Sequence, residues 1–201
     1  MIKKIFIFLG ILLAVLAIIF GSYLPFEKSR SYVRAINMLN SIKTLPEFED
    51  VFGRALSFYS PIGQEEIVKF FSSDTITSLV SQNNPEALSR ELVSFIEPYL
   101  FKNDVRHLII RGNLYSLLWQ KYRQEEDFVK SEEAYRAALA IGPKLPPVLY
   151  SLLDLYQAKG EGEKLKEIAN TILKYWPDDQ KIKSILNQLE AVKPTAASSI
   201  R

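Results

Sequence analysis

Residues 5–24, IFIFLGILLAVLAIIFGSYL, carry no charge, and this run limits what the chain can fold into more than any other feature. At about 1.5 Å rise per residue, twenty apolar residues in a helix cover the roughly 30 Å hydrocarbon core of a bilayer. Lys3 and Lys4 precede the run, as the basic residues of an export signal do. A cleaved signal peptide is the competing reading. The apolar region of such a peptide, however, is about 7–15 residues long and leads into a small-residue cleavage site, and the chain meets neither condition. Residues 1–25 are therefore expected to form an uncleaved anchor that meets the membrane through residues 5–24.

Charge gives two answers about orientation. Lys28, Arg30 and Arg34 lie just past the run and outnumber Lys3 and Lys4, which by the positive-inside tendency would keep the rest of the chain in the cytoplasm. A short N-terminal tail leading straight into an apolar span behaves instead as a signal-anchor that exports the remainder of the chain. The complete absence of cysteine neither demands nor excludes an oxidising compartment. Lys3 and Lys4 account for the whole formal charge of +2, so the part beyond the anchor is neutral. A nucleic-acid binder carries a basic stripe or patch, and this chain has no basic excess to build one.

Beyond the anchor the sequence is punctuated by prolines at positions 25, 46, 61, 85, 98, 143, 146, 147, 177 and 194, with helix-period segments between them. SYVRAINMLNSI, PEFEDVFGRALSFY, PEALSRELVSFIEPYL and HLIIRGNLYSLLWQKY are examples. Thr44 and Glu47 have the spacing of a capping box, with Pro46 tolerated in the first turn. Asn84, Pro85 and Glu86 read as an N-cap, a first-position proline and an acid at the positive end of the helix dipole. No period-2 run argues for a sheet. The expected class is all-α.

Pro143 and Pro177 are 34 residues apart, and the residues before each proline correspond. Tyr115, Leu118, Trp119 and Tyr122 match Leu149, Leu152, Leu153 and Tyr156; Ser131, Tyr135, Ala138 and Leu139 match Leu165, Ala169, Ile172 and Leu173. The spacing i, i+3, i+4, i+7 makes one apolar stripe on each first helix. Small residues such as Ala134, Ala138 and Ala169 let the second helix come close. This pattern resembles the tetratricopeptide (TPR) repeat, with units at 112–145 and 146–179. It departs from the family where an early glycine is usual, since Trp119 and Leu153 stand there, and where Ser131 and Leu165 replace an alanine. The resemblance implies an α-helical solenoid of antiparallel helix pairs after a single transmembrane helix. Around the repeats, residues 26–111 make a helical leading region, 180–193 a closing helix that covers the last apolar face, and 194–201 a flexible tail.

A shorter motif, Ala55-Leu56 and then Pro61, Gly63 and Glu65 or Glu66, is similar to one in the soluble C-terminal TPR region of O-antigen ligase/polymerase-type membrane proteins. That resemblance implies a bacterial cell-envelope setting. With it, the expected localisation is the cytoplasmic membrane of a bacterium, single-pass, with the soluble domain extracytoplasmic. A chain with one span lacks the multi-helix portion that would carry glycan chemistry, so no such activity is implied.

Residue types for catalysis are sparse. His107 is the only histidine and lies at the start of a long helix, so a surface or hydrogen-bonded structural role is expected, and a multi-histidine zinc site is impossible. The acidic pairs Glu65-Glu66, Glu125-Glu126-Asp127, Glu132-Glu133 and Asp178-Asp179 read as solvated turns and helix starts. The eight glycines never take a phosphate-loop spacing. No catalytic residue, metal, cofactor or small-molecule partner is expected, and the chain is read as no enzyme. What remains is a protein or peptide partner on the face lined by the first helices: Asn113, Ser116, Gln120 and Arg123 in one unit, and Tyr150, Asp154 and Gln157 in the next. The expected role is a membrane-anchored interaction scaffold in cell-envelope or surface-polysaccharide assembly. The alternative is a non-catalytic accessory that packs on a multi-span O-antigen ligase/polymerase-like protein.

Overall fold

The computed structural model describes residues 2–191 and contains helices and turns, with no strand among the described residues. Pro194 and the 194–201 tail, and the last two residues expected in the closing helix, lie outside the described residues. The first helical run extends unbroken over Ile2–Ser41. It comprises α1 (Ile2–Ile18), a π-helical turn (Ile19–Tyr23), α2 (Leu24–Met38) and a closing 3-10 turn (Leu39–Ser41). It is long and apolar enough to cross a membrane, and none of its most apolar stretch is buried against the protein. Pro25 does not end this helix, contrary to the reading of the prolines as stops. A proline ring clashes with the carbonyl four residues earlier, here that of Gly21. The π turn just before it, in which the Leu24 N–H donates to the Ile19 carbonyl, lets the helix run on past the ring.

The chain divides into two compact units, residues 1–101 and 102–201. In the first, α2 packs on α3 (Leu45–Ser57), and the chain continues through α4 (Gln64–Phe70), a π-helical turn (Phe71–Ile76), α5 (Thr77–Ser81) and α6 (Glu86–Ile96). Its core is aromatic. Phe52 lies 4.5 Å from Phe71 between ring centroids, Phe48 lies 4.7 Å from Phe52 and 5.7 Å from Phe95, and Tyr32 brings α2 edge-on to Phe71. Phe48, Phe52 and Phe71 are buried, whereas Phe70 and Phe101 of the same unit are exposed. Thr44 caps α3 by accepting from the Glu47 N–H, and the Glu47 carboxylate reaches back to the Lys43 N–H. Asn84 is not the cap of α6. Pro85 holds that position, and the Asn84 amide turns back to donate to the Leu79 carbonyl at the end of α5. Lys28 is fully buried, and its ammonium donates to the Leu56 carbonyl at 3.3 Å and the Phe58 carbonyl at 2.5 Å. A cation against carbonyls left unpaired at the end of α3 also meets the negative end of the helix dipole.

The second unit holds α7 (Val105–Tyr122), α8 (Glu125–Ile141), α9 (Pro146–Lys159), α10 (Gly162–Tyr175) and α11 (Gln180–Ala191). The long helix expected from His107, which carries the start of the first repeat, begins two residues earlier at Val105, where Asp104 caps it by accepting from the Arg106 and His107 N–H groups. Two residues join α7 to α8, and the contacts fix them antiparallel: Trp119 late in α7 meets Phe128 early in α8, and Gly112 early in α7 meets Tyr135 late in α8. The apolar stripes point inward. Leu118, Leu149, Leu152, Leu153, Tyr156, Ala138, Ala169 and Ile172 are completely or almost completely buried, while Tyr122, Leu139 and Leu173 are half-buried. Gly160, at φ +81°, closes α9; its N–H and that of Glu161 return to carbonyls of the last turn, a conformation in which glycine lacks the Cβ penalty.

Gly112 has a different reason. A Cβ built there would sit 2.4 Å from Cε1 of the buried Tyr135 ring, so α7 and α8 touch through this gap. The Ser131 hydroxyl fills the remaining polar need by donating to the Gly112 carbonyl at 2.8 Å. Gly112→Ala should lower stability by about 1–3 kcal/mol through overpacking. Trp119→Ala, which empties a site only 4% exposed, should cost about 3–5 kcal/mol. Chemical denaturation checks both; a Gly112→Ala protein as stable as wild type would show that the helices do not approach this closely.

Candidate functional site

The predicted surface divides into four places. Asn113, Ser116 and Gln120 of α7 and Asp154 of α9 line one groove of about 230 Å³, together with Leu117, Tyr135, Ser151 and Leu155. The other three predicted residues are not among those lining it. Arg123 sits at the end of α7 in the left-handed conformation, φ 58°, with its guanidinium 4.9 Å from the Trp119 ring centre. It closes a helix and covers a ring instead of facing α9. Tyr150 donates its hydroxyl to the Asp179 carboxylate and belongs to a separate aromatic recess of about 440 Å³ with Tyr175, Trp176, Pro146 and Pro177. Gln157 is exposed on α9 and lines neither hollow.

The groove is polar but mostly self-satisfied at its floor. The Gln120 amide donates to Ser116 Oγ at 3.1 Å, and the Tyr135 hydroxyl donates to Asn113 Oδ1 at 2.7 Å. Burial pushes the Tyr135 phenol up to about 12, so it remains a donor throughout the physiological range. The Asp154 carboxylate is exposed and is the one formal charge among the lining residues. Exposed at the rim are therefore an acid and two side-chain amides, a set suited to N–H donors and cations rather than to anions.

Two of the acidic pairs read as solvated have inward members. Asp127 is buried in the first turn of α8. Glu132 is the meeting point of three helices. It accepts from Arg136 Nε at 2.9 Å on its own helix, from the Tyr156 hydroxyl of α9 at 2.7 Å, and from Lys164 Nζ of α10 at 3.1 Å. Arg136 also donates to the Tyr156 hydroxyl. Adjacency in sequence hid this because Glu133 stays exposed while its neighbour turns toward the next hairpin. Asp179, too, has work beyond solvation: it accepts from the Ile182 N–H at the start of α11 and from Tyr150. His107 is completely buried, which excludes the surface role and keeps the structural one.

A further hollow lies in the first unit and has no counterpart among the residues expected to bind a partner. A cleft of about 650 Å³ runs between the segment 39–48 and residues 74–92, with Leu39, Ile42, Phe48, Leu79 and Leu92 as apolar walls and Lys43, Asp74, Thr75 and Gln82 among its polar residues. Its size falls within the usual range of small-ligand clefts, whereas the α7–α9 groove is smaller and suits one or two side chains.

Burial alone would raise the Glu132 carboxyl; hydrogen bonds from Tyr156, Arg136 and Lys164 outweigh it and leave the group below the ordinary 4.5. Burial, and then the Glu132 carboxylate, push the Tyr156 phenol upward. A carboxyl lowered in the folded state contributes stability that is complete above its ordinary value and lost as pH falls through its folded value. Glu132→Gln should therefore destabilise by about 1–3 kcal/mol near neutrality. It should also flatten the loss of stability below pH 4.5 seen in the wild type. Melting temperatures taken across acid pH check this, and parallel curves for the two proteins would exclude Glu132 as the group responsible. Among protein families, curated proteins and solved structures, none matches this chain.

Proposed function

We propose that the chain is a membrane-anchored, TPR-like interaction protein whose second unit takes a segment of a protein partner along the α7–α9 groove. The observation that carries this reading is the convergence of the exposed Asn113, Gln120 and Asp154 from two successive first helices on one groove, with Ser116 buried at its floor. A peptide offering backbone N–H groups or a basic side chain matches the carboxylate and amides at its rim. The two helix pairs, 34 residues in phase, and the covering α11 support the solenoid reading of the unit. Anchoring through residues 5–24 would place the unit at the bacterial cytoplasmic membrane, on its outer side, in cell-envelope or surface-polysaccharide assembly.

Gln120→Ala and Asp154→Ala should leave stability within about 0.5 kcal/mol of wild type, because both side chains are exposed. Each should reduce several-fold the amount of partner recovered with the protein from detergent-solubilised membranes. Undiminished recovery with both substitutions combined would remove the groove from the binding surface. If the recovered partner were then a multi-span membrane protein held through the apolar helix, the accessory role would replace the scaffold role. Orientation has its own test. Alkaline phosphatase fused after Arg201 should be active, and a stable inactive fusion would place the body in the cytoplasm.

A further inference from the structure

We infer that the loop between α3 and α4, residues 58–63, is a second membrane contact, with Tyr59 and Ile62 resting in the headgroup layer beside the anchor. The inference rests on residues 5–24 crossing the bilayer as proposed above, and it adds to that reading a surface of the folded unit. Its geometry comes from Lys28. This residue lies four positions past Leu24, hence about 6 Å beyond the end of the apolar run along the helix axis. Its ammonium holds the Leu56 and Phe58 carbonyls, so the end of α3 and the start of the loop are fixed at that level of the helix. The polar layer on each side of a bilayer is about 5–8 Å thick, half the difference between the roughly 30 Å core and the 40–45 Å whole. The loop starts at that depth.

The first unit comes right down to the edge of the span. Residues 2–23 are exposed throughout, and Leu24 and Pro25 are the first positions of the helix to be half-buried. Tyr59 is 67% exposed and Ile62 59% exposed. No charged residue lies between Arg54 and Glu65, which leaves the loop free of the groups that resist the interface. Isolated exposed apolar side chains are ordinary on a protein surface. These two are distinguished by their level, and a tyrosine, apolar in its ring and polar at its hydroxyl, is the residue type that gathers in this layer. The partner is thus the lipid surface itself.

The absence of cysteine in the chain makes the test direct. Full-length protein carrying Tyr59→Cys, Ile62→Cys, Asn83→Cys or Leu12→Cys is labelled with an environment-sensitive fluorophore and reconstituted into vesicles of equal parts phosphatidylcholine and phosphatidylglycerol. Quenching is read with spin labels on the headgroup and deep in the acyl chain, present in both leaflets so that orientation does not matter. Asn83 is the control: it is exposed and adjoins the cleft beside residues 39–45, at least about 20 Å further along the helix than Leu24. Positions 59 and 62 should be quenched by the headgroup label several-fold more than position 83, and position 12 by the deep label. Quenching at 59 and 62 no greater than at 83, with position 12 still deep, overturns the loop contact and leaves the anchor standing. A probe at position 12 that the deep label does not quench overturns the anchor, and the loop contact falls with it.

Discussion

The second unit depends on how closely α7 and α8 approach at Gly112. The Tyr135 ring occupies the space a side chain at 112 would need. That contact has two polar consequences. It brings the Ser131 hydroxyl under the Gly112 carbonyl, and it carries the Tyr135 hydroxyl across to Asn113 at the rim of the groove. Pull the helices apart by one methyl group and both hydrogen bonds lengthen together, as does the packing of Trp119 on Phe128 further along. The floor of the proposed binding strip is therefore the same set of atoms that sets the interhelix distance.

Glu132 does at the other side of α8 what Gly112 does at the first, through charge instead of shape. One carboxylate satisfies a phenol and two cations from three helices, so the position of α8 is tied to both helices of the next pair. A partly buried ion cluster of this kind contributes little net energy compared with an apolar replacement, but leaving any member unpaired is costly. Its effect is to favour one register of the two pairs over neighbouring ones in which Tyr156 would be buried without an acceptor. In the first unit Lys28 has the analogous role, since the end of α3 is docked at one particular turn of the long helix.

Much of this architecture was legible in the residues. The stripes ending in Tyr122 and Tyr156 gave the inward face of each first helix, because a 3.6-residue period leaves little choice of phase once four large residues share it. The all-α class and the apolar N-terminal helix came just as directly from the prolines and the charge-free run. The groove was legible in part: Asn113, Ser116, Gln120 and Asp154 share a strip, whereas Arg123 and Tyr150 were assigned by repeat position and are drawn elsewhere by Trp119 and Asp179. Gly112 escaped notice as the close-approach residue because it lies two turns before the position at which the repeat pattern leads one to look for a glycine. Glu132 and the cleft of the first unit escaped for a different reason. The partners of Glu132 on the next helix pair and the two walls of the cleft come together from 24 positions apart or more, and no local spacing encodes such a meeting.

The passage of the first helix through Pro25 without a break has a mechanical consequence. With residues 5–24 in a membrane as proposed, a flexible joint there would let the first unit swing and spin over its surface, so that any of its faces could meet a neighbour. A continuous helix acts instead as a keyed shaft. Each added residue between the apolar run and Lys28 would turn the unit by about 100° and lift it by about 1.5 Å. The π turn at Ile19–Tyr23 already uses one such increment, because it inserts extra backbone per turn within the apolar run. The angle at which the first unit presents its cleft relative to the apolar run is thus written into the number of residues between Ile5 and Lys28, and a single insertion or deletion there would re-aim it without touching a residue of the cleft.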